Sequence, residues 1–402
     1  MGAGAFFLPI AREFDTTRAS ISWAFSAIRL EGGLTGPLEG FLIDRFGPRR
    51  MMLVGWVIFG FGFLFLSVVQ SLPQFFAAFL IAALGSSLAG FLPISTTVVN
   101  WFSRWRGTAL GIVLAGNSLG GLFVPLMVVA ILTFGWRPTA AGMGVFVILT
   151  GIPLSLVMRR RPEDYGMLPD GDQPEPESRD NGDDSSDVSS SSSETQEQDL
   201  SVRQALRTSP FWFLAFAHSG ALTAWSAVAV HLIPALVDTG MSETQAGAIF
   251  AVQSIVASAS RLGGGFLGDK IGIKQVLVAA YICQALALII LAFASTPFHA
   301  VLFAIFMGMG FGARGPLTTA LRGNLFGRKN YATISGAMEP LTMLGSVIAP
   351  VLAGVTYDIQ HSYTVAFLAI AVVNIVSIAL LIPIRKPIIA PEITVPPTSA
   401  TK

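Results

Sequence analysis

Charged residues and cysteine are both scarce in this sequence. Asp, Glu, Lys and Arg make up 12% of the 402 residues, about half the share typical of soluble globular proteins. Hydrophobic residues make up 52%, and the mean hydropathy is +0.65. The one cysteine, Cys283, excludes an intrachain disulfide and a thiolate metal cluster, and its apolar surroundings predict a small hydrophobic role. This composition predicts an all-α polytopic membrane protein rather than a soluble enzyme.

Several motifs are also missing, and each absence removes a class of function. No Gly-x4-Gly-Lys-[Ser/Thr] phosphate loop occurs, so ATP-driven work is not supported. The four His residues are scattered, and the glycine run 263–265 follows no strand, so it is interpreted as a helix-packing feature. No basic region precedes the first apolar stretch, so no cleavable signal peptide is expected. We therefore expect no metal, no cofactor, no enzymatic activity and no nucleic-acid partner.

The formal net charge of +1 hides two segments of opposite character. Residues 163–199 contain thirteen acids and one base, a net charge of −12, so the rest of the chain carries +13. The acidic, Ser-rich segment 163–204 predicts a disordered cytoplasmic linker, with regulation by phosphorylation or a partner as the alternative. The predicted domains are an N-terminal helix bundle at 1–162, this linker, a C-terminal helix bundle at 205–387 and a cytoplasmic tail at 388–402.

Eleven stretches are long and apolar enough to cross about 30 Å of hydrocarbon as helices. They lie at 19–43, 51–70, 73–98, 107–133, 138–158, 209–236, 244–267, 275–295, 298–321, 331–356 and 363–384. Before them, residues 1–11 are apolar but too short to span the bilayer. This stub is interpreted as the second half of a helix whose first half is missing, so we expect eleven full spans plus a truncated first helix.

Basic residues are distributed unevenly between the two sides of these spans. With residues 44–50 on the cytoplasmic side, nineteen of the twenty-five Lys and Arg residues fall on that side, three fall outside and three lie within spans. Cytoplasmic loops carry an excess of Lys and Arg. The pattern therefore predicts a multi-pass protein of the cell (inner or plasma) membrane with a cytoplasmic C-terminus.

An internal repeat relates the two halves of the chain at a constant offset of 225 residues. Residues 40–49, GFLIDRFGPR, return as residues 265–274, GFLGDKIGIK. The same offset pairs three further positions: Gly111 with Gly336, Gly120 with Gly345, and Pro125 with Pro350. Matches across several spans at one offset predict two pseudo-symmetric six-helix bundles around a central site.

The repeated loop, Gly-x3-Asp-[Arg/Lys]-x-Gly-x-[Arg/Lys], resembles the loop between helices two and three of the major facilitator superfamily. Its glycines allow close helix approach, its acids can accept from backbone donors or basic neighbours, and its bases can anchor to headgroups. The resemblance implies a role in conformational gating. The gating residues expected are Gly40, Asp44, Arg45, Gly47, Arg49, Gly265, Asp269 and Gly272.

Shorter motifs resemble the monocarboxylate transporter and oxalate:formate antiporter group of that superfamily. They are NWFSRWRGTALG at 100–111, GWR at 135–137, RPEDYG at 161–166 and PDG at 169–171. In this group an Arg in helix eight is the expected ligand of the substrate carboxylate, and Arg261 matches it. Two features depart from the group. No Lys or Arg lies between Tyr331 and His361, where the antiporters carry a second cation, and Ala257 replaces an Asp of the animal carriers.

Other ionisable residues inside spans are candidates for function, because a charge in the membrane is costly. Arg314 is predicted either to bind the anion as a second ligand or to pair with an acid. Glu339 is a candidate proton carrier or the partner of Arg314. Arg29 and Glu31 point about 200° apart on one helix, so each needs a partner on another helix, and a structural ion pair is the favoured role.

Polar residues of the sixth full-length segment, 209–236, and of its neighbours complete the predicted site. His218 and His231 are candidate proton carriers because His titrates near physiological pH, with a structural role as the alternative, and Asp238 could relay protons from outside. The predicted pocket-lining residues are Asn117, Trp225, Ser226, Thr223, Ser95 and Thr96, although small polar residues also hold helices together.

Together these residues predict a secondary-active transporter of small organic anions that works by alternating access. The first hypothesis is proton-coupled transport of lactate- or pyruvate-type monocarboxylates, with the anion on Arg261 and Arg314 and the proton on Asp238, Glu339 or His218. The alternatives are anion exchange of the oxalate:formate type and a non-transporting membrane sensor, while the buried Arg residues disfavour drug efflux. The expected partners are the anion, H+ and the lipid bilayer, and the expected state is a monomer.

Overall fold

The computed structural model describes Glu13 and residues 18–120, 123–172 and 199–387, and within these ranges it contains helices and no strand. The helices are α1 Arg18–Phe46, α2 Pro48–Val68, α3 Leu72–Leu88, α4 Phe91–Trp101, α5 Arg106–Leu119, α6 Phe123–Phe134, α7 Trp136–Val157, α8 Val202–Leu206, α9 Ser209–Asp238, α10 Glu243–Ile271, α11 Ile273–Ala292, α12 Pro297–Phe326, α13 Tyr331–Gln360 and α14 Thr364–Leu381. The all-helical fold is confirmed.

The predicted spans coincide with these helices. Nine helical stretches of the described chain are long and apolar enough to cross a membrane, with α3 and α4 counted as one. The other two predicted spans correspond to α1 and to the pair α5 and α6. The largest difference in boundaries is at α12, which continues to Phe326 rather than ending at 321. Residues 1–12, where the truncated first helix is predicted, lie outside the described ranges.

The two copies of the repeated loop turn the chain in the same way. Gly47 separates α1 from α2 with a φ of 87°, and Gly272 separates α10 from α11 with a φ of 118°. L side chains rarely adopt these values, so glycine is the residue suited to both turns. Pro48 then occupies the first turn of α2, where its missing N–H has no intrahelical partner to lose.

Helix packing separates two halves that meet along two seams. In the first half α2 packs against α3 and α7; in the second, α12 packs against α10 and α11, and α9 against α13 and α14. The seams between the halves are formed by α1 with α13 and by α5 with α10. Substrate sites of such two-bundle proteins lie between the halves, so these seams locate the region to search.

The repeat glycines lie where the helices of the two seams cross most closely. A Cβ built on Gly40 would lie 2.2 Å from the carbonyl oxygen of Ala332, and one on Gly265 would lie 2.3 Å from that of Gly107. Both obstructing atoms belong to backbone, which cannot rotate away. The glycines are thus required because the two halves touch through their main chains at these points.

The predicted linker is ordered at both of its ends, which corrects its boundaries. Residues 163–165 and 169–171 form short 3-10 turns, and the Asp170 carboxylate accepts hydrogen bonds from the backbone N–H groups of Ser103 and Arg104 at 3.1 and 2.9 Å. At the other end, Asp199 accepts from the N–H groups of Arg328 and Lys329. The prediction of disorder was wrong for the two ends of the segment. Their acids accept hydrogen bonds from unpaired backbone N–H groups, and such bonds can order the chain without burying apolar surface. Residues 173–198 lie outside the described ranges.

Candidate functional site

The halves are joined at one end of the molecule, here called the linker end, where α1, α7, α10 and α12 finish. Asp44 at the end of α1 accepts hydrogen bonds from the N–H groups of Ala332 and Thr333 and from the Thr333 hydroxyl, at 3.2, 2.7 and 2.6 Å. The first turn of a helix has unpaired N–H groups and a partial positive charge. Asp44 therefore caps α13 of the opposite half.

The second seam repeats this arrangement with every residue shifted by the repeat offset. Asp269 at the end of α10 accepts from the N–H groups of Gly107 and Thr108 and from the Thr108 hydroxyl, at 2.9, 2.7 and 2.7 Å. It therefore caps α5 of the first half. The structure thus places the predicted gating acids together with Gly40 and Gly265 at the contacts between the halves, whereas Gly47 and Gly272 form the turns that follow. Of the predicted bases, Arg45 lies over the rings of Phe41 and Phe46, and Arg49 is half-buried in α2.

Additional contacts close the linker end. Arg106 is fully buried and donates to the side chain of Asn324 in the other half and to the backbone oxygens of Phe102 and Val99. Arg328 donates to the Asn100 oxygen and to Glu163, each at 2.9 Å. The bonds from Arg106 to Asn324 and from Arg328 to Asn100 cross between the halves, so the structure is closed at the linker end.

The effect of the caps can be tested by replacing Asp269 with Asn. Hydrogen bonds to a charged group contribute about 1.5–3 kcal/mol each, so Asp269→Asn is expected to lower the population closed at the linker end at least tenfold. A cysteine at cavity-lining Ser346, in a Cys283→Ser background, should then be labelled faster by a maleimide added from the linker side. Asp164→Asn, exposed at the same end, is the control, and equal labelling of all three proteins would contradict the capping role.

A cavity of about 620 Å³ lies between the halves, beyond the capped helix ends. Its lining comes from six long helices and from the short α4. The charged and aromatic lining residues are Glu39, Phe91, His218, Trp225, Arg314, Arg322, Tyr331 and Glu339, and smaller residues include Gly36, Ser87, Ser95, Leu114, Leu222, Ser226, Gly315 and Thr342. A cavity of this size with a few polar groups on mostly apolar walls is typical of a site for a small organic molecule.

The part of the cavity nearest the linker end holds one ion pair and a second acid. Arg322 lies four residues from the end of α12, and its guanidinium Nη1 is 3.7 Å from Oε1 of Glu339 on α13. The Arg322 side chain is only 8% exposed. Glu39 on α1 is also buried, and it accepts from Thr35 at 2.8 Å and from Ser87 at 2.7 Å. Buried charges in a membrane protein are expected to have a function.

Further from the linker end, Arg314 contacts His218. Nη1 of Arg314 on α12 is 3.2 Å from Nδ1 of His218 on α9. A guanidinium has no acceptor, so Nδ1 must accept and the proton of the neutral imidazole must lie on Nε2. Protonation of Nδ1 would therefore break this contact and place two positive charges side by side.

The folded halves, their capped seams and the central cavity agree with one family. A model described as Major Facilitator Superfamily matches residues 1–237 and 214–399. The chain belongs to the major facilitator superfamily.

Individual relatives of this superfamily support the narrower group as well. Monocarboxylate transporter 13 of Bos taurus is 23% identical over 371 residues, covering 90% of this chain and 80% of that protein. The oxalate:formate antiporter of Oxalobacter formigenes is 23% identical over 383 residues, covering 92% and 84%. Among solved structures, FucP in the outward conformation gives a TM-score of 0.72 at 16% identity, covering 94% and 93%. The family model and these two relatives agree with the motifs found in the sequence. The likeness to the solved structure confirms the fold.

Four of the predicted site residues of this superfamily member come together in the cavity: Arg314, Trp225, His218 and Glu339. Glu339 pairs with Arg322 rather than with Arg314, which corrects the pairing expected from the sequence. The reason is that α12 continues one turn further than predicted and brings Arg322 beside α13. Ser226 and Ser95 also line the cavity, whereas Thr223 and Thr96 are not among the lining residues. All four hydroxyls donate to carbonyls of their own helices.

Other predicted residues lie elsewhere. The backbone oxygen of Arg261 meets Gly111 at the second seam, and its guanidinium carbon lies 5.7 Å from the Phe311 ring, outside the cavity lining. Asp238 is exposed at the far end of α9. His231 hydrogen-bonds Pro350 and Tyr363, which favours its structural role. The side chains of Asn117, Arg29 and Glu31 lie outside the described part of the chain.

The sequence analysis missed two charged residues of the cavity. Arg322 fell one residue beyond the predicted span 298–321 and was counted among the cytoplasmic bases. Glu39 lies inside the predicted span 19–43, so its charge was the signal that could have found it. Both residues now join the candidate site of this superfamily member.

Proposed function

We propose that this major facilitator protein is a secondary-active transporter of small organic anions. The observation that carries the proposal is the pair of buried Arg residues in the cavity wall. Taken as whole residues, Arg314 is 4% exposed and Arg322 is 6% exposed. Nε of Arg314 and both Nε and Nη2 of Arg322 are buried with no hydrogen-bond partner among the described residues. Such donors favour a carboxylate, which guanidinium groups bind through two parallel hydrogen bonds.

The favoured substrate class is the monocarboxylates. Glu339 already neutralises part of the charge of Arg322, which leaves Arg314 as the cation whose hydrogen-bonded neighbour is a neutral imidazole. One carboxylate on Arg314 would balance that charge. The names of the monocarboxylate transporter relatives support the same class. Arg261, whose guanidinium carbon lies 5.7 Å from the centre of the Phe311 ring, stays a predicted ligand.

The closed linker end indicates how the transport cycle would run. Lys and Arg residues concentrate at this end, so we assign it to the cytoplasmic side of the cell membrane. With this orientation, we assign the structure to an outward-facing state of a monomer. Alternating access would require the two caps and the Arg106 and Arg328 bonds to break on the cytoplasmic side as the opposite side closes.

We assign proton coupling to Glu339, because protonation of this carboxylate would weaken the ion pair with Arg322. Glu339→Gln is therefore expected to abolish the stimulation of uptake by an inward proton gradient while retaining exchange of substrate between the two sides. Asp238→Asn, which alters an exposed acid remote from the cavity, should keep the stimulation. The measurement is uptake into proteoliposomes with and without the gradient. Gradient-dependent uptake by Glu339→Gln would contradict the assignment.

The two cavity arginines also favour a second candidate, exchange of anions that carry two charges. Arg314 and Arg322 lie eight residues apart on α12 and line the same cavity, so they could bind the two ends of a dicarboxylate. Uptake of dicarboxylates that requires an internal anion and ignores the pH gradient would favour this candidate.

The deciding experiment is uptake of a panel of mono- and dicarboxylates by purified protein in proteoliposomes, at equal pH and with an imposed proton gradient. Proton-stimulated uptake of a monocarboxylate that is lost in Arg314→Gln would support the proposal. Deletion of 173–198 should leave uptake intact, which would count against a sensor. Absence of uptake and of exchange for every anion in the panel would overturn the proposed function.

A further inference from the structure

The wall of the cavity beside Arg314 is aromatic. Trp225 on α9 stacks on Phe311 of α12 with their ring centroids 3.8 Å apart and their planes inclined by 13°. Trp225 is one of the residues that line the cavity, and Phe311 is not. Because one face of the indole is held against a neighbouring ring, its position is fixed without any ligand.

The cation and this aromatic wall are close enough to act on one molecule. The guanidinium carbon of Arg314 lies 5.3 Å from the Phe311 centroid, so its distance from the Trp225 centroid cannot exceed 9.1 Å, the sum of this separation and the 3.8 Å stacking distance. A carboxylate hydrogen-bonded to guanidinium places its carbon about 4 Å from the guanidinium carbon, and aromatic rings pack at centroid distances of about 4.5–7 Å. These separations need not lie along one line, and a ligand with one or two carbons between its carboxylate and its ring can satisfy both contacts at once.

The surroundings of Trp225 are apolar on the same helix face. Leu222 lies three residues before it and Ala229 four residues after it, and both line the cavity. Residues at these spacings share one side of a helix. A ligand that reaches Leu222, Trp225 and Ala229 from Arg314 meets mainly hydrocarbon, and Ser226 is the polar lining residue next to Trp225. A three-carbon acid such as lactate would occupy only a small part of the 620 Å³.

We propose that the preferred anions carry an aromatic ring one or two carbons from the carboxylate, with the carboxylate on Arg314 and the ring against Trp225. This inference rests on the proposed anion transport and narrows its substrate class. It also gives Phe311 a role, since removal of this ring would free the indole to rotate.

The test compares phenyllactate with lactate as radiolabelled substrates in proteoliposomes that contain the full chain. We expect the wild-type protein to take up phenyllactate at least tenfold more efficiently than lactate, measured as the ratio of initial rate to half-saturating concentration. Trp225→Leu should lower this efficiency for phenyllactate at least tenfold and lower it for lactate by a clearly smaller factor. Trp212→Leu, on the same helix but facing outward with 42% exposure, is the matched control and should change neither.

The possible failures are distinguishable. Lactate uptake without a preference for phenyllactate, or equal losses for both substrates in Trp225→Leu, would overturn the aromatic site and leave anion transport standing. Uptake of neither anion would contradict the proposed function itself. Thermal stabilisation of the detergent-solubilised protein gives a second measurement: phenyllactate should raise the melting temperature of the wild type and of Trp212→Leu but not that of Trp225→Leu, and an equal rise in all three would also overturn the aromatic site.

Discussion

Arg322→Gln is expected to reduce the rate of anion uptake at least a hundredfold in protein that still folds and inserts. The substitution removes a buried cation from the cavity and leaves Glu339 without the guanidinium that lies 3.7 Å away. Loss of hydrogen bonds to a charged group costs about 1.5–3 kcal/mol each, and about 2.7 kcal/mol corresponds to a hundredfold in rate. Uptake into proteoliposomes measures the effect at matched protein content.

A matched variant separates a general charge effect from a role in the cavity. Arg207 is exposed near the same end of the molecule, so Arg207→Gln should retain close to the wild-type rate.

A double variant separates two roles of Arg322, neutralising Glu339 and offering hydrogen-bond donors to the cavity. If Arg322 only neutralised Glu339, Arg322→Gln combined with Glu339→Gln would restore exchange of substrate. We expect the double variant to stay inactive because the Nε and Nη2 donors of Arg322, which have no partner among the described residues, are then missing from the cavity. Recovery of most of the activity would contradict this role.

Gly265→Ala is expected to lower transport at least tenfold by a different route, the separation of two helices. A Cβ at this position would lie 2.3 Å from the carbonyl oxygen and 2.8 Å from the carbonyl carbon of Gly107. Since both atoms are backbone, α10 must move away from α5, and Asp269 is then pulled from the N–H groups that it caps. The measurement is uptake together with maleimide labelling from the linker side, which should increase as the closed state is destabilised.

The same helix offers a close control for this prediction. Gly263 lies two residues earlier, and a Cβ built there would meet nothing within 4 Å. Gly263→Ala should therefore transport at the wild-type rate, and the two variants gain equal helix propensity. Equal losses in both would show that glycine is needed for helix flexibility rather than for close approach at the seam.

The capped seams show why the repeat was the most informative feature of the sequence. Asp44 and Asp269 were predicted to accept from backbone donors or basic neighbours, and the structure shows backbone donors on the opposite half. Every partner obeys the same offset: Ala332 corresponds to Gly107 and Thr333 to Thr108. The sequence could show that these positions correspond, but it could not show that a residue of one half contacts the other half.

The charged residues of the site were harder to predict, for a reason that α12 illustrates. A hydropathy window ends a span where polar residues begin, so Arg322 and Asn324 marked the predicted end near 321. In the structure α12 continues to Phe326, because the Arg322 side chain is buried between helices and Asn324 accepts a hydrogen bond from the fully buried Arg106. Arg106 was counted as a cytoplasmic base for the same reason. Local hydropathy does not distinguish a base in solvent from a base between helices.

Composition, hydropathy and the repeat determined the membrane class, the position of nearly every span, the two-bundle architecture and the superfamily, since each depends on patterns local to the chain or repeated along it. The tertiary structure alone decided which charges share a cavity. It brought Arg322 to Glu339 and Arg314 to His218, and it left Arg261 outside the cavity lining. The physical reason is that the direction of a side chain depends on how its helix is rotated against distant neighbours, and one sequence does not encode that rotation in any local pattern.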